Sequence, residues 1–267
     1  MAGRLQDKIA IITGAGSIGP GVGNGKATSI LFAREGARVL AVDMNLNAAK
    51  ETVGMIEGEG GQAVAHQTDV TDAGQIGALV EACEKKYGRI DVLVNNVGIA
   101  RTGGIVTTEE ADWDLVTDVN QRSVYLMCQA VVPVMQRQGK GAIVNIASVA
   151  AHRWTGINYA SYYATKGAVI ALTRAIALEF AKDGIRCNSV SPGLMNTPMV
   201  HHGLTAAYGE EGDIDNLVRT RDAQSPTGKM GTAWDTANAC LFLASDEAGY
   251  VNAHDLVVDG GLIARFV

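Results

Sequence analysis

The chain has 267 residues, 47% of them hydrophobic, with a formal net charge of −6 and a mean hydropathy of +0.10. That apolar content supplies a sizeable core and excludes a disordered chain, while an acidic balance with no basic run longer than Lys85-Lys86 argues against nucleic acid or an anionic membrane as partner. Cys83, Cys128, Cys187 and Cys240 lie 45, 59 and 53 residues apart without a CxxC pair, which excludes a zinc ribbon and a disulfide framework and reads as buried small hydrophobes in a reducing compartment.

The first predicted element is a β-branched apolar strand over Lys8 to Thr13, followed after a glycine-rich turn by a helix from Lys26 to Gly36. A strand over Ala37 to Asp43, a helix over Leu46 to Glu59, a strand over Ala63 to Thr68 and a helix over Ala73 to Tyr87 come next. IDVLVNN, Ile90 to Asn96, is again an apolar run that ends polar. The spacing then predicts one long helix from Glu109 to Gln138, a strand over AIVNIAS, a long helix from Tyr162 to Lys182 and a strand over IRCNSVSPG. A helix over Trp234 to Ser245 and a strand over Asp255 to Asp259 complete the chain. Strands that are apolar along their whole length and alternate with helices belong to a parallel sheet covered on both faces. The expectation is a single domain over residues 1–267, a doubly wound Rossmann-type α/β fold of about seven strands. One polar stretch, Leu194 to Gly231, breaks the rhythm and reads as a functional lid. MAGRLQDKIA contains no apolar signal core and no run approaches the length of a membrane span, so the chain reads as cytoplasmic.

TGAGSIGPGVGNGKA, Thr13 to Ala27, holds two overlapping glycine patterns. Gly14-x-Gly16-x-x-Gly19 has dinucleotide-fingerprint spacing, yet Pro20, Gly21, Gly23 and Gly25 follow it at once and oppose a helix there. A helix that starts near Gly25 or Lys26, with Asn24 as its N-cap, puts the right-hand pair against a pyrophosphate. The alternative, with Gly16 and Gly19 carrying the pyrophosphate, stays open.

Thr13-Gly14 with Gly23-Asn24-Gly25-Lys26-Ala27, Asn95-Asn96-Val97-Gly98, Ser148, Tyr162-x-x-x-Lys166 and Pro192-Gly193 together resemble the short-chain dehydrogenase/reductase family, along essentially the whole chain. The family turn usually reads TGxxxGxG, so Ile18 to Val22 resembles an insertion of five residues. The resemblance implies a nicotinamide cofactor held by Gly14, Gly23, Asn24, Gly25, Asp43, Asp69, Val70, Asn96, Gly98, Tyr162, Lys166, Pro192, Gly193 and Thr197, with Asn95 lining the nicotinamide side. Asp43 ends the second strand where a carboxylate accepts hydrogen bonds from a ribose 2′-hydroxyl and repels a 2′-phosphate; no Arg or Lys follows it directly, which favours NAD.

The resemblance also implies a catalytic set of Asn120, Ser148, Tyr162 and Lys166, and a homotetramer. Tyr162 and Lys166 share a helix face. A phenol with a pKa near 10 acts as a base at neutral pH only with a cation to favour its phenolate. Lys166, helped by an oxidised nicotinamide, fits that need, and Ser148 can hold the substrate oxygen. The expected reaction interconverts a secondary alcohol and a ketone. Tyr159, seven residues before Lys166, has the spacing of the family's enoyl reductase branch and offers an alternative; a dinucleotide-binding sensor without catalysis is a third reading. His152, Trp154, Tyr159, Met195 and Met199 are candidates to shape the pocket. Arg153 could meet a substrate carboxylate or be solvated, and His201-His202 lacks a carboxylate at ligand spacing, so no metal is assigned.

Overall fold

A computed structural model describes residues 3–266, the side chains of 203 and 206 apart. In chain order the elements are β1 (Ile9–Thr13), α1 (Asn24–Arg34), β2 (Arg38–Asp43), α2 (Leu46–Gly58), β3 (Gln62–Gln67), α3 (Ala73–Tyr87) and β4 (Val92–Asn95). They continue with α4 (Glu110–Thr117), α5 (Ser123–Gln138), β5 (Gly141–Ile146), α6 (Ala160–Glu179) and β6 (Ile185–Pro192). After these come β7 (Met195–Asn196), α7 (Pro198–Gly203), α8 (Ile214–Gln224), β8 (Gly231–Thr232), α9 (Ala233–Ala244) and β9 (Asp255–Val258).

Seven strands form one sheet in the order β3-β2-β1-β4-β5-β6-β9, with every pairing parallel. The period-2 alternation of each strand divides its side chains between two cores. Ile9 and Ile11 of β1 face the apolar cluster built with α3, α5 and α6. Ala10 and Ile12 face the one built with α1, α2 and α9. Both faces are covered, as a wholly parallel sheet requires. Because β1 lies between β2 and β4, the chain reverses direction across the sheet there, and the loops after β1 and β4 open a crevice at the strands' carboxyl ends.

The one long helix expected from Glu109 to Gln138 is interrupted. Residues Asp118–Arg122 form a π-helical turn between α4 and α5, which an apolar period of 3.6 does not register. The polar stretch Leu194 to Gly231 is also more ordered than its composition suggests. It holds α7 and α8, and its two ends are tied by a short parallel ladder, Met195 to Gly231 and Asn196 to Thr232.

Candidate active site

At the crevice the chain leaves β1 through Gly14, whose φ of +62° suits glycine, and Asn96 ties this turn to β4. The Asn96 side-chain amide donates to the carbonyls of Thr13 and Gly14 at 3.2 and 3.1 Å, and its backbone N–H donates to Thr13 Oγ1 at 3.0 Å. Helix α1 then runs against the turn so closely that a Cβ on Gly25 would lie 2.0 Å from the Gly14 carbonyl oxygen. Its N-cap is Gly23, not Asn24 as the sequence suggested; Asn24 is the first helical residue, with its side-chain oxygen buried and without a partner among the described residues. No side chain caps α1 and no acid occupies its first turn, whereas Asn45, Asp72 and Asp213 cap α2, α3 and α8. The free N–H groups of α1 therefore remain available to an anion. A Cβ on Gly23 would meet Ser17 Oγ at 3.5 Å and the Gly16 carbonyl oxygen at 3.8 Å, ordinary contacts that leave this position open.

The left-hand glycine pattern has its own steric reason. Gly16 lies on the end of β2: its N–H donates to Asp43 Oδ2 at 3.0 Å, and a Cβ there would come within 2.5 Å of Ala48 Cβ. Gly19 and Gly21 belong to the inserted segment, which abuts α7. A Cβ on Gly19 would meet the His202 ring at 2.1 Å, and one on Gly21 would lie 3.3 Å from Pro198 Cγ. The other Asp43 oxygen accepts the Asn45 N–H at 2.9 Å. Asp69 turns its Oδ1 to the N–H and hydroxyl of Thr71, while Val70 is buried in the core.

On the far side of the crevice, Ser148 caps a short 3-10 turn after β5, where its Oγ accepts the Ala150 N–H at 3.1 Å. Tyr162 and Lys166 project from the start of α6. The Lys166 ammonium is 3% exposed, donates to the Ile146 carbonyl at 2.8 Å and lies 5.6 Å from the centre of the Tyr162 ring. Burial lowers its pKa to about 8. The Tyr162 phenol is pushed up, first by desolvation, with the nearby Ser148 hydroxyl and the Arg221 guanidinium pulling the other way. Burial is thus the dominant influence on the phenol, and the base form expected from the sequence relies on an oxidised nicotinamide as well as on Lys166. A Cβ on Gly98 would stand 3.1 Å from Lys166 Nζ and 3.5 Å from Asn120 Oδ1, so Gly98 is the floor beneath both. The π-helical turn carries Asn120 inward, where it accepts the Ile99 N–H at 2.7 Å and donates to the Ile99 carbonyl and Thr165 Oγ1. Its side chain clamps the loop after β4 to α6.

Pro192 ends β6. Gly193 passes so near β9 that a Cβ would lie 2.7 Å from Asp259 Cα. Thr197 is buried at the start of α7, and its side chain makes no capping bond.

Several candidates are elsewhere employed. Asn95 does not line the crevice: it is buried between strands, donating to Asn145 Oδ1 at 2.8 Å, and Asn145 in turn donates to Thr173. His152 leaves the pocket for the sheet edge, where Nε2 lies 2.7 Å from Asp255 Oδ2. Arg153 donates to the Leu262 and Arg265 carbonyls. Met195 is buried, with its sulfur against Gly231. Trp154 is 59% exposed and stacks on Tyr163, and Met199 is exposed on α7. His201 Nε2 lies 2.7 Å from Asn196 Oδ1. Tyr159 does sit beside Tyr162, with ring centres 5.2 Å apart, but its hydroxyl is bonded to Thr155 Oγ1 at 2.5 Å and burial pushes its pKa strongly up. Tyr208 and Arg221 carry no local signal in the sequence. Both come from the polar stretch and reach the tyrosine group only through the tertiary fold.

A family model described as "Enoyl-(Acyl carrier protein) reductase" matches residues 21–263. The chain is 41% identical over 260 residues to 3-oxoacyl-(acyl-carrier-protein) reductase FabG of Thermotoga maritima, covering 97% of this chain and 99% of that one. It is 39% identical over 261 residues to 2,5-dichloro-2,5-cyclohexadiene-1,4-diol dehydrogenase LinX of Sphingobium indicum, covering 98% of each chain. A putative short-chain dehydrogenase/reductase from Burkholderia xenovorans, solved by crystallography, superposes with a TM-score of 0.95 at 47% identity over 100% of both chains. The crevice at the strand reversal, the tyrosine and lysine on one helix face and these full-length likenesses agree: the chain belongs to the short-chain dehydrogenase/reductase family of oxidoreductases.

Proposed function

We propose that this protein is an NAD-dependent dehydrogenase that interconverts a secondary alcohol and a ketone, with Tyr162 as acid and base. The observation that carries the reading is the convergence of Ser148, Tyr162 and Lys166 with the Gly98 floor at the switch point of the sheet. The named activities of the two relatives, reduction of a 3-oxoacyl group and dehydrogenation of a cyclic diol, both interconvert an alcohol and a carbonyl at a single carbon.

The residues present fit a dinucleotide. The uncapped N-terminus of α1, the open face at Gly23 and the Gly14 turn suit a pyrophosphate, and we assign Asn24, Pro192, Gly193 and Thr197 to the same cofactor site. Asp43 offers a carboxylate to a ribose diol, and the residues just after it, Met44 to Asn47, bring no cation for a 2′-phosphate, which supports NAD. Asp69 Oδ2 and the Val70 backbone lie at the next strand end, suited to the adenine. When bound, the nicotinamide supplies the hydride acceptor or donor.

Within that frame each side chain has one task. Ser148 hydrogen-bonds the substrate oxygen and sets its distance to the phenol. Tyr162, protonated as burial dictates, donates its proton to a ketone oxygen and takes one from an alcohol in reverse; such transfer contributes roughly 10²–10⁴-fold. Lys166 places positive charge under the phenol, and Asn120 keeps the Ile99 loop and α6 in register. Residues 194–231 act as the substrate lid. We further propose a homotetramer and a cytoplasmic location.

The test is reduction of NAD and NADP by the purified protein over secondary alcohols covering polyols, sugars, cyclic diols, steroids and hydroxy acids. Turnover with NAD in preference to NADP supports the reading. Silence across the panel with intact NADH binding favours a sensor, and saturation of an enoyl substrate instead favours the enoyl reductase branch.

A further inference from the structure

The lid carries a charge that the reaction described above does not use. Arg221 of α8 is 5% exposed, and among the described residues no carboxylate forms an ion pair with it. The acid beside it, Asp222, is occupied with the Met230 N–H at 2.7 Å. Arg221 Nη1 donates to the Tyr208 hydroxyl at 3.0 Å, Nε meets the Met230 sulfur at 3.2 Å, and the guanidinium lies 5.5 Å from the centre of the Tyr208 ring. A guanidinium has five N–H donors, and these bonds engage two. Nη2 makes no bond among the described residues and keeps what little solvent contact the side chain has, so an incoming anion can reach it while the rest of the arginine lies inside the protein.

Its position relates it to the reacting groups. Tyr208 packs on the cluster of Ala150, Ile157 and Tyr159 that also receives Tyr162, and equally on the lid's own cluster of Val200, Leu204 and Leu217. Tyr208 thus spans the space between the lid and the reacting phenol, with the guanidinium on its hydroxyl. The charge is also felt at Tyr162, whose phenol it pulls down against burial. A buried cation without an anion is costly, and folded proteins retain one where a counter-ion completes it. Arginine's planar fork matches a carboxylate or sulfonate with two parallel bonds.

We propose that Arg221 is the receptor for an anionic group on the substrate, so that the alcohol or ketone processed here belongs to an acid, a hydroxy or oxo carboxylate or sulfonate, held with its reacting carbon at Tyr162 and its anion under the lid. This rests on the dehydrogenase reading, and it narrows the substrate class. Arg153, the arginine the sequence offered for such a role, is committed to the Leu262 and Arg265 carbonyls.

The experiment compares short hydroxy acids and hydroxy sulfonates with the primary amides of the same skeletons, using the wild-type protein, Arg221→Met and Arg221→Lys. Wild type is expected to favour the acids, and Arg221→Met to lower kcat/KM for them by about 100-fold, chiefly through KM, the scale of removing one partner of a buried charge pair. The amides should change by less than about threefold, and Arg221→Lys should restore part of the loss. Carboxylate against sulfonate arms show which anion fits. Equal use of acids and amides by wild type, or an equal fall for both in Arg221→Met, overturns the proposal and leaves the dehydrogenase reading standing. Calorimetry of the corresponding oxo acids with the NAD-loaded protein, a pairing that holds no hydride to transfer, reads binding without turnover. Binding that Arg221→Met abolishes upholds the anion site even if no alcohol is oxidised, and absence of binding in wild type overturns it.

Discussion

Replacing Lys166 by Met isolates the energetic consequence of burying its cation. Lys166 is 3% exposed, and burial lowers its pKa from the ordinary 10.5 to about 8. Below pH 8 the ammonium is charged in both folded and unfolded chains, and the folded protein bears the whole cost of desolvating it. Between pH 8 and 10.5 the unfolded chain still holds a proton that the folded chain has lost, so rising pH favours the folded state. At about 1.4 kcal/mol per pH unit, the relief amounts to about 3 kcal/mol over that window. Methionine has no such proton. The lost bond to the Ile146 carbonyl shifts its stability by a constant and leaves the pH slope alone. Tyr162, whose pKa burial raises, lowers stability near the top of the window in both proteins alike and so cancels in the comparison. Denaturant unfolding of both proteins across this range is the assay. Wild type should gain about 3 kcal/mol on Lys166→Met as pH rises, most of it between pH 8 and 10.5. Parallel stability curves would refute the reasoning, since they would mean that folding leaves the Lys166 pKa unchanged and that its ammonium bears no net desolvation cost.

Three further outcomes follow from the geometry. Gly25→Ala should destabilise by about 2 kcal/mol or more, because its methyl meets the Gly14 carbonyl, whereas Gly23→Ala should stay within about 0.5 kcal/mol yet weaken NADH binding; melting and cofactor fluorescence separate the two. Asn145→Ala should cost about 2 kcal/mol by stranding the Asn95 amide in the core, with kcat unchanged, as denaturation and steady-state assays would show. Asp43→Asn should lower the ratio of kcat/KM with NAD to that with NADP, because it removes the negative charge facing the ribose position and weakens the acceptor of the Gly16 N–H; initial rates with both cofactors measure the ratio.

The strand and helix alternation was legible because apolar runs and glycine stops are local signals, and α3 begins and ends at the residues its spacing predicts. The Tyr162 and Lys166 pairing was equally local, four residues on one helix face. What escaped was tertiary in origin. The π-helical turn that aims Asn120 inward departs from the helical period only through its contacts with Ile99 and Thr165. Asn95 and Asn96 are adjacent in sequence but point to opposite sides of β4, so one braces Asn145 and the other holds the Gly14 turn. His152 was a fair pocket candidate by position, and only the register of β9 beside β6 brings Asp255 to it. Arg221 sits in a run, NLVRTRDAQ, that reads as a solvated helix face. Nothing in that run announces that Leu217 and Arg221 of α8 turn inward.

The most direct test of the central claim compares Tyr162→Phe with Tyr159→Phe in single-turnover assays with saturating NADH and a ketone that wild type reduces, NADH affinity being measured for each protein. The account predicts that Tyr162→Phe slows hydride transfer by about 10²–10⁴-fold with NADH affinity unchanged, while Tyr159→Phe, whose hydroxyl serves only Thr155, stays within about tenfold of wild type. Loss of reduction in Tyr159→Phe with activity retained in Tyr162→Phe would contradict it.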